Sequence, residues 1–226
     1  MGGYKMKNIY RFLDAIAENN NRPWLAAHND EYQELRHQWF EDLDKLIACM
    51  SSWQPDFARQ TGRDAAYRFA RDTRFSPDKS PYKTFFSAAI SPYGRKSERA
   101  AYYLQVDSRR EENGLYGGMY CLDAPMLAKL RRAIVDNSEE FEEIVNNPEL
   151  QRLYPGWLGE QLKTAPKGWP KDHPQIEYLR LKYYGKFHHC DRRYFESERW
   201  YERASEDFRV LKPLIDFLNY SYDEEF

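Results

Sequence analysis

The chain has 226 residues, with 34 Lys and Arg set against 36 Asp and Glu, a formal charge of −2. That balance excludes a uniformly basic nucleic-acid binder and a polyacidic tail protein, and 18 Tyr, 13 Phe and 6 Trp supply too much area to bury for a disordered chain. At roughly 100–200 residues per domain, the length fits one large domain or two small ones.

Cys49, Cys121 and Cys190 are odd in number, widely spaced and form no Cys-x-x-Cys pair. Neither a disulfide framework nor a cysteine-rich zinc site is expected, and a reducing cytoplasm fits best. The N-terminal residues lead into no apolar stretch of signal-peptide length. The longest uncharged, apolar-leaning run, residues 84–93, is far short of the roughly 20 residues a membrane-spanning helix needs. No membrane partner is expected.

Ile9, Phe12, Leu13 and Ile16 follow helical spacing, and Asn19-Asn20-Asn21 is a plausible stop because Asn tolerates the left-handed conformation. A longer helix follows, its stripe carried by Leu35, Trp39, Leu43, Leu46 or Ile47, and Met50. From Ala65 the period shifts towards two. Residues 65–70, 85–91, 101–107 and 115–122 are short, aromatic- and β-branched-rich, and separated by Pro, Gly, Asn or charge clusters; they read as a meander of strands. Residues 91–94 and 108–114 read as its hairpin loops.

Helical spacing returns after Asp123-Ala124-Pro125, with Leu127, Leu130 and Ile134 on one face, and a short acidic helix follows Ser138. Residues 158–174 are rich in Pro, Gly and Lys and read as an ordered loop, residues 178–188 as a final strand. A last helix carries Trp200, Ala204, Phe208, Leu211, Ile215 and Leu218. Helices, then strands, then helices predict a single α+β domain over residues 1–226, an antiparallel sheet of about four to six strands packed with N- and C-terminal helices, with flexible ends at 1–8 and 220–226.

The most chemically loaded segment runs Arg71-Asp72-Thr73-Arg74-Phe75-Ser76-Pro77-Asp78-Lys79-Ser80-Pro81-Tyr82-Lys83. Between Arg63 and Lys83 six basic residues face three acidic ones, a local excess of +3 inside a chain of negative net charge. Two X-Pro pairs stiffen the loop, and preorganised Arg and Lys donors grip phosphate or carboxylate with little entropy left to lose. Arg71, Arg74, Lys79, Tyr82 and Lys83 are candidate ligand contacts. The plainer alternative is that Asp72 and Asp78 pair with these cations and cap turns.

A second segment, residues 162–174, adds Lys163, Lys167, Lys171, Trp169 and His173 beside Asp172. His173 is the acid–base candidate, because an unperturbed imidazole titrates near 6.5, with Asp172 or Asp72 to orient it; an Asp-His-Pro turn whose ring bonds only to backbone is the structural alternative. Asn20 and Arg22, in Asn19-Asn20-Asn21-Arg22-Pro23-Trp24, could complete a polar pocket or simply cap a helix.

These three stretches, with the Gly117-Gly118 pair before an aromatic strand, resemble an uncharacterised family called domain of unknown function 2461, in its order, from about Phe12 to about Leu218. The resemblance implies an α+β, bacterial-type cytoplasmic protein and supplies no activity or catalytic assignment.

Other groupings are weaker. The Gly114–Met119 stretch lacks Gly-x-Gly-x-x-Gly and no helix opens directly after it, so a nucleotide fingerprint is rejected; its adjacent glycines suggest a bulge or a close backbone approach to a ligand or another chain. His188-His189-Cys190-Asp191 looks like a metal cluster, but neighbouring strand residues point to opposite faces, and no metal site is expected. Cys121 is a nucleophile only on paper, since no base accompanies it. Three readings remain: an enzyme for a phosphate- or carboxylate-bearing small molecule, hydrolytic or transferring, with His173 as acid or base; a non-catalytic nucleic-acid- or anion-binding module; and a protein-interaction domain. The cofactor and the oligomeric state are both left open.

Overall fold

The computed structural model describes residues 2–120 and 122–224. The chain begins with α1 (Gly2–Glu18), α2 (Arg22–Ala27), α3 (Asn29–Ser51) and α4 (Gly62–Ala65), followed by β1 (Phe85–Ile90), β2 (Ala101–Asp107) and β3 (Gly114–Met119). Next come α5 (Ala124–Asp136), α6 (Ser138–Val145), α7 (Pro148–Leu153) and α8 (Ile176–Leu179), then β4 (Tyr184–His189), α9 (Arg192–Glu196), α10 (Trp200–Arg209) and α11 (Lys212–Asp223). The strands make one antiparallel meander in the order β1-β2-β3-β4, and the fold is α+β. Among the described residues no helix is long and apolar enough to cross a membrane.

The chain divides into two compact units of three segments each: residues 1–95, 103–115 and 189–206, and residues 96–102, 116–188 and 207–226. In the first unit, α1 and α3 bury the stripes their spacing predicts, Ile9, Phe12, Leu13 and Ile16 on one and Leu35, Trp39, Leu43, Leu46, Ile47 and Met50 on the other. Trp39 stacks on Trp200 with ring centroids 6.4 Å apart. Asn21 caps α2 by accepting the Trp24 N–H, so the Asn run both ends one helix and starts the next. Phe69 lies at the centre of an aromatic cluster, 5.1 Å from Tyr32, 5.4 Å from Phe86, 5.8 Å from Tyr82 and 6.0 Å from Phe12.

The strand expected at residues 65–70 is not a regular one. Thr61 and Asp64 form a capping box that holds α4 up to Ala65, and beyond it the chain meets its neighbours only through isolated bridges, Ala66 to Ala88 and Ala70 to Tyr82. The segment touches its neighbours at single points and forms no continuous ladder.

In the second unit, Asp123 caps α5 through the Met126 N–H, as its place before Pro125 suggests, and Leu130 and Ile134 are buried. Phe141 of α6 packs 5.2 Å from Phe217 and 5.1 Å from Tyr178. The start of the expected final strand, residues 178–179, turns out to be the end of helix α8, and β4 starts only at Tyr184. The expected last helix is two: Pro213 has no N–H to continue the ladder and instead occupies the first turn of α11. Helix α11 continues to Asp223, which pairs with Arg99. The glycine pair of β3 serves close backbone approach. A Cβ on Gly118, whose φ is +134°, would stand 2.1 Å from the Tyr184 carbonyl oxygen, and one on Gly117 would stand 2.5 Å from Leu211 Cδ1.

Candidate functional site

Residues 71–83 leave and re-enter the first unit through a stitched base. Arg71 N–H donates to the Pro81 carbonyl and Lys83 N–H to the Phe69 carbonyl, 2.9 and 3.0 Å. Asn20 completes it: its Nδ2 donates to the Tyr82 carbonyl (2.9 Å) and its Oδ1 accepts the Tyr82 N–H (3.1 Å). An amide side chain thus stands in for a strand's backbone. Asn20, expected as a ligand contact, uses both its polar atoms to fix the loop.

Inside the loop the charges sort into pairs. Arg74 clasps Asp72 through Nε and NH2 at 3.0 and 2.7 Å, and Arg68 adds a longer contact of 3.9 Å; the hydrogen bond from Arg74 holds the Asp72 carboxyl below its usual range. Arg71 pairs with Asp78, and the Ser80 hydroxyl and N–H, with Arg71 behind them, hold the Asp78 carboxyl well below the usual range. Lys79 spans the loop to the Thr73 carbonyl at 2.9 Å. At the tip Phe75 is 92% exposed.

Behind this loop lies a cavity of about 550 Å³, lined by Asn20, Arg71, Asp72, Ser76, Asp78, Ser80, Tyr82, Lys83, Thr84 and Arg109 among others. Arg109 reaches from the β2–β3 connection and chelates the buried Asp107 carboxylate through Nε and NH2, at 3.3 and 3.0 Å. Lys83 is different. Its ammonium stands over the rings of Tyr67 and Phe85, 5.4 and 5.2 Å from their centroids, and makes no hydrogen bond or ion pair with any described residue. Burial, with a smaller push from Arg68, draws its pKa below the ordinary lysine value. Arg74 and Lys79 are not among the lining residues, and Arg22 is exposed at the start of α2.

The second basic segment belongs to the second unit. Lys167, Gly168 and Trp169 line a cavity of about 820 Å³ with Lys129, Arg132 and Glu224. His173 is not among the lining residues. Its Nδ1 accepts the Gln175 N–H at 3.2 Å, which leaves the other nitrogen to carry the proton, and its ring meets Trp169 edge-on at 5.2 Å. Asp172 is exposed and makes no hydrogen bond or ion pair among the described residues. The arrangement is that of a turn which braces an indole, without an Asp–His pair in it.

One residue that sequence reasoning passed over is Lys186. It is 1% exposed, donates to the Gly156 carbonyl at 2.7 Å, lies 4.0 Å from the Trp157 ring centroid and is drawn down by desolvation to about 8. The signal was available: Lys186 occupies the same strand face as Tyr184, an inward one. Arg109, Lys129 and Arg132 gave no such signal, being ordinary cations on a turn and a helix face. His188 points its Nδ1 at the Leu153 carbonyl (2.8 Å) and its Nε2 towards Asp207 (3.7 Å). Among the described residues no three His, Cys, Asp or Glu side chains stand ready to hold a metal ion. Cys121 lies outside the described residues.

The model of a family described as a conserved hypothetical protein (DUF2461) matches residues 8–217. No curated protein and no solved structure matches the chain.

Proposed function

The chain belongs to the conserved hypothetical protein family DUF2461, and from that premise we propose that its first unit binds a small phosphate- or carboxylate-bearing molecule in the cavity behind residues 71–83. The observation that carries this is Lys83, a desolvated ammonium lining a cavity whose two carboxylates, Asp72 and Asp78, are paired with Arg74 and Arg71 and not with it. A buried charge without a partner is costly, and an anion from solution supplies the missing partner. Arg71 and Arg109 flank it with guanidinium groups already oriented by Asp78 and Asp107, and Ser76, Ser80, Thr84 and Tyr82 add hydroxyls suited to phosphate oxygens. We assign binding and no reaction, because no histidine lines the cavity and both of its carboxylates are held by arginines. A reducing, bacterial-type cytoplasm is part of the same proposal, supported by three cysteines that are odd in number and widely spaced in the sequence.

The test is isothermal titration calorimetry with inorganic phosphate, glycerol 3-phosphate and succinate. At least one of these binds, more weakly as salt is added, and Lys83→Ala weakens it roughly tenfold or more, the worth of one charge-assisted hydrogen bond. Affinity also declines as pH rises, starting below the range where an ordinary lysine loses its proton. Equal affinity in the variant removes Lys83 from the site and the proposal with it.

A further inference from the structure

The cavity of the second unit stands on observations of its own. Lys129, Arg132 and Lys167 bring three positive charges to it and Glu224 one negative. Arg132 and Lys167 are exposed, and neither makes a hydrogen bond or ion pair with any described residue. Two cations left unpaired on a shared concave wall form a binding geometry for one anion, with a planar fork at Arg132 and a mobile point charge at Lys167.

Two further features narrow the ligand. Trp169 is half-buried in the wall and held edge-on by His173, 5.2 Å away. A braced indole offers a flat apolar surface at little conformational cost, the platform on which planar rings stack. Glu224 lines the same cavity, and its Oε2 is shielded from solvent without a hydrogen-bond partner among the described residues. An unsatisfied acceptor of this kind asks for an N–H or O–H from whatever enters.

We infer that this cavity is a second, separate site, for a ring-bearing monophosphate of the nucleoside monophosphate class. Arg132 and Lys167 take the phosphate, Trp169 takes the ring, and Glu224 accepts from an amino or hydroxyl group of the base or sugar. At about 820 Å³ the cavity falls within the roughly 300–1,000 Å³ typical of small-molecule sites. His173, whose sequence context suggested an acid or base, becomes a positioning residue that sets the indole plane.

Titration of the full chain with adenosine monophosphate, phenyl phosphate and inorganic phosphate, followed by calorimetry, tests this. Affinity falls in that order, because the three probes offer phosphate, ring and donor, then phosphate and ring, then phosphate alone. Arg132→Ala and Lys167→Ala each weaken adenosine monophosphate roughly tenfold, again the worth of one charge-assisted contact. Trp169→Ala brings adenosine monophosphate down towards inorganic phosphate, with Trp169→Phe retaining part of the difference should the alanine variant fail to fold. His173→Ala erodes the preference for a ring and leaves inorganic phosphate unchanged. The series is repeated in the Lys83→Ala background, which disables the first cavity: the order of the three probes and the losses from Arg132→Ala and Lys167→Ala persist there, which separates this site from the first cavity. If adenosine monophosphate binds no better than inorganic phosphate, or if its binding is lost in Lys83→Ala and kept in Arg132→Ala, the inference is overturned.

Discussion

Lys83 and Lys186 are both desolvated lysines, and their surroundings give them different work. Lys186 is sealed under Trp157 with its one hydrogen bond to a carbonyl, so nothing compensates its charge except the ring face and a dipole. Its pKa near 8 when folded lies below the value of about 10.4 for an unfolded chain. Between those two values the unfolded state holds the extra proton, and stability rises with pH there; below about 8 both states are protonated and the penalty is constant. Urea unfolding of the wild type and of Lys186→Met at pH 7 and pH 10 isolates this contribution, since the tyrosines cancel in the difference. The wild type gains on the variant by up to about 3 kcal/mol across that interval. A constant difference would mean that the ammonium keeps its water. Lys83 faces a cavity instead of a sealed wall, so a ligand can supply what the fold withholds. Composition could not have separated the two. Which cation is left over depends on Asp78 taking Arg71 and Asp72 taking Arg74, and those choices are made in three dimensions.

The loop of residues 71–83 shows the same division between what its own residues settle and what arrives from outside. Its stiffness and local charge are written in its prolines and in Arg71, Asp72, Arg74 and Lys83, so the segment was legible as a candidate site. Its anchor was not, because Asn20 stands 62 positions away and an Asn after a helix reads first as a cap. Asn20→Ala strips both hydrogen bonds from the Tyr82 backbone and is expected to cost roughly 1–3 kcal/mol, measured by denaturant unfolding, and to weaken anion binding as well. Asn20→Asp, which keeps the acceptor and loses the donor, falls between the two; a wild-type-like Asn20→Ala would mean that the backbone bridge at Ala70 and Tyr82 suffices. Among the regular elements, β1 to β3 were legible because each is a short apolar or aromatic run bounded by Pro, Gly, Asn or charged residues. Residues 65–70 are an apolar-rich stretch that pairs only at single points, residues 176–179 are too short a turn to reveal a helical period, and Pro213 interrupts a stripe whose apolar spacing runs on across the break. Gly117 and Gly118 announced a close approach, and the partners, Leu211 and Tyr184, could only come from the folded chain.

At the scale of the whole molecule, segment order dominates. Each unit is assembled from three stretches that alternate along the chain, and the first unit's third stretch carries Trp200, which stacks on Trp39, and Arg192, which clasps Asp14 and lies over Tyr10 at 4.7 Å. A fragment ending at residue 115 retains the loop and its anchor and lacks both of these. It is expected to show no cooperative thermal transition by circular dichroism, whereas the full chain does; a cooperative fragment would show that the first unit closes without residues 189–206.

That alternation also has a consequence for heredity. A domain encoded by one uninterrupted stretch can be copied, lost or traded between genes with a single pair of breakpoints. Neither unit here can, because each is made of three separate stretches and no single excision takes out one whole unit and leaves the other intact. Trading either unit would take several coordinated breakpoints, so change within one unit is simplest through point substitutions and loop insertions.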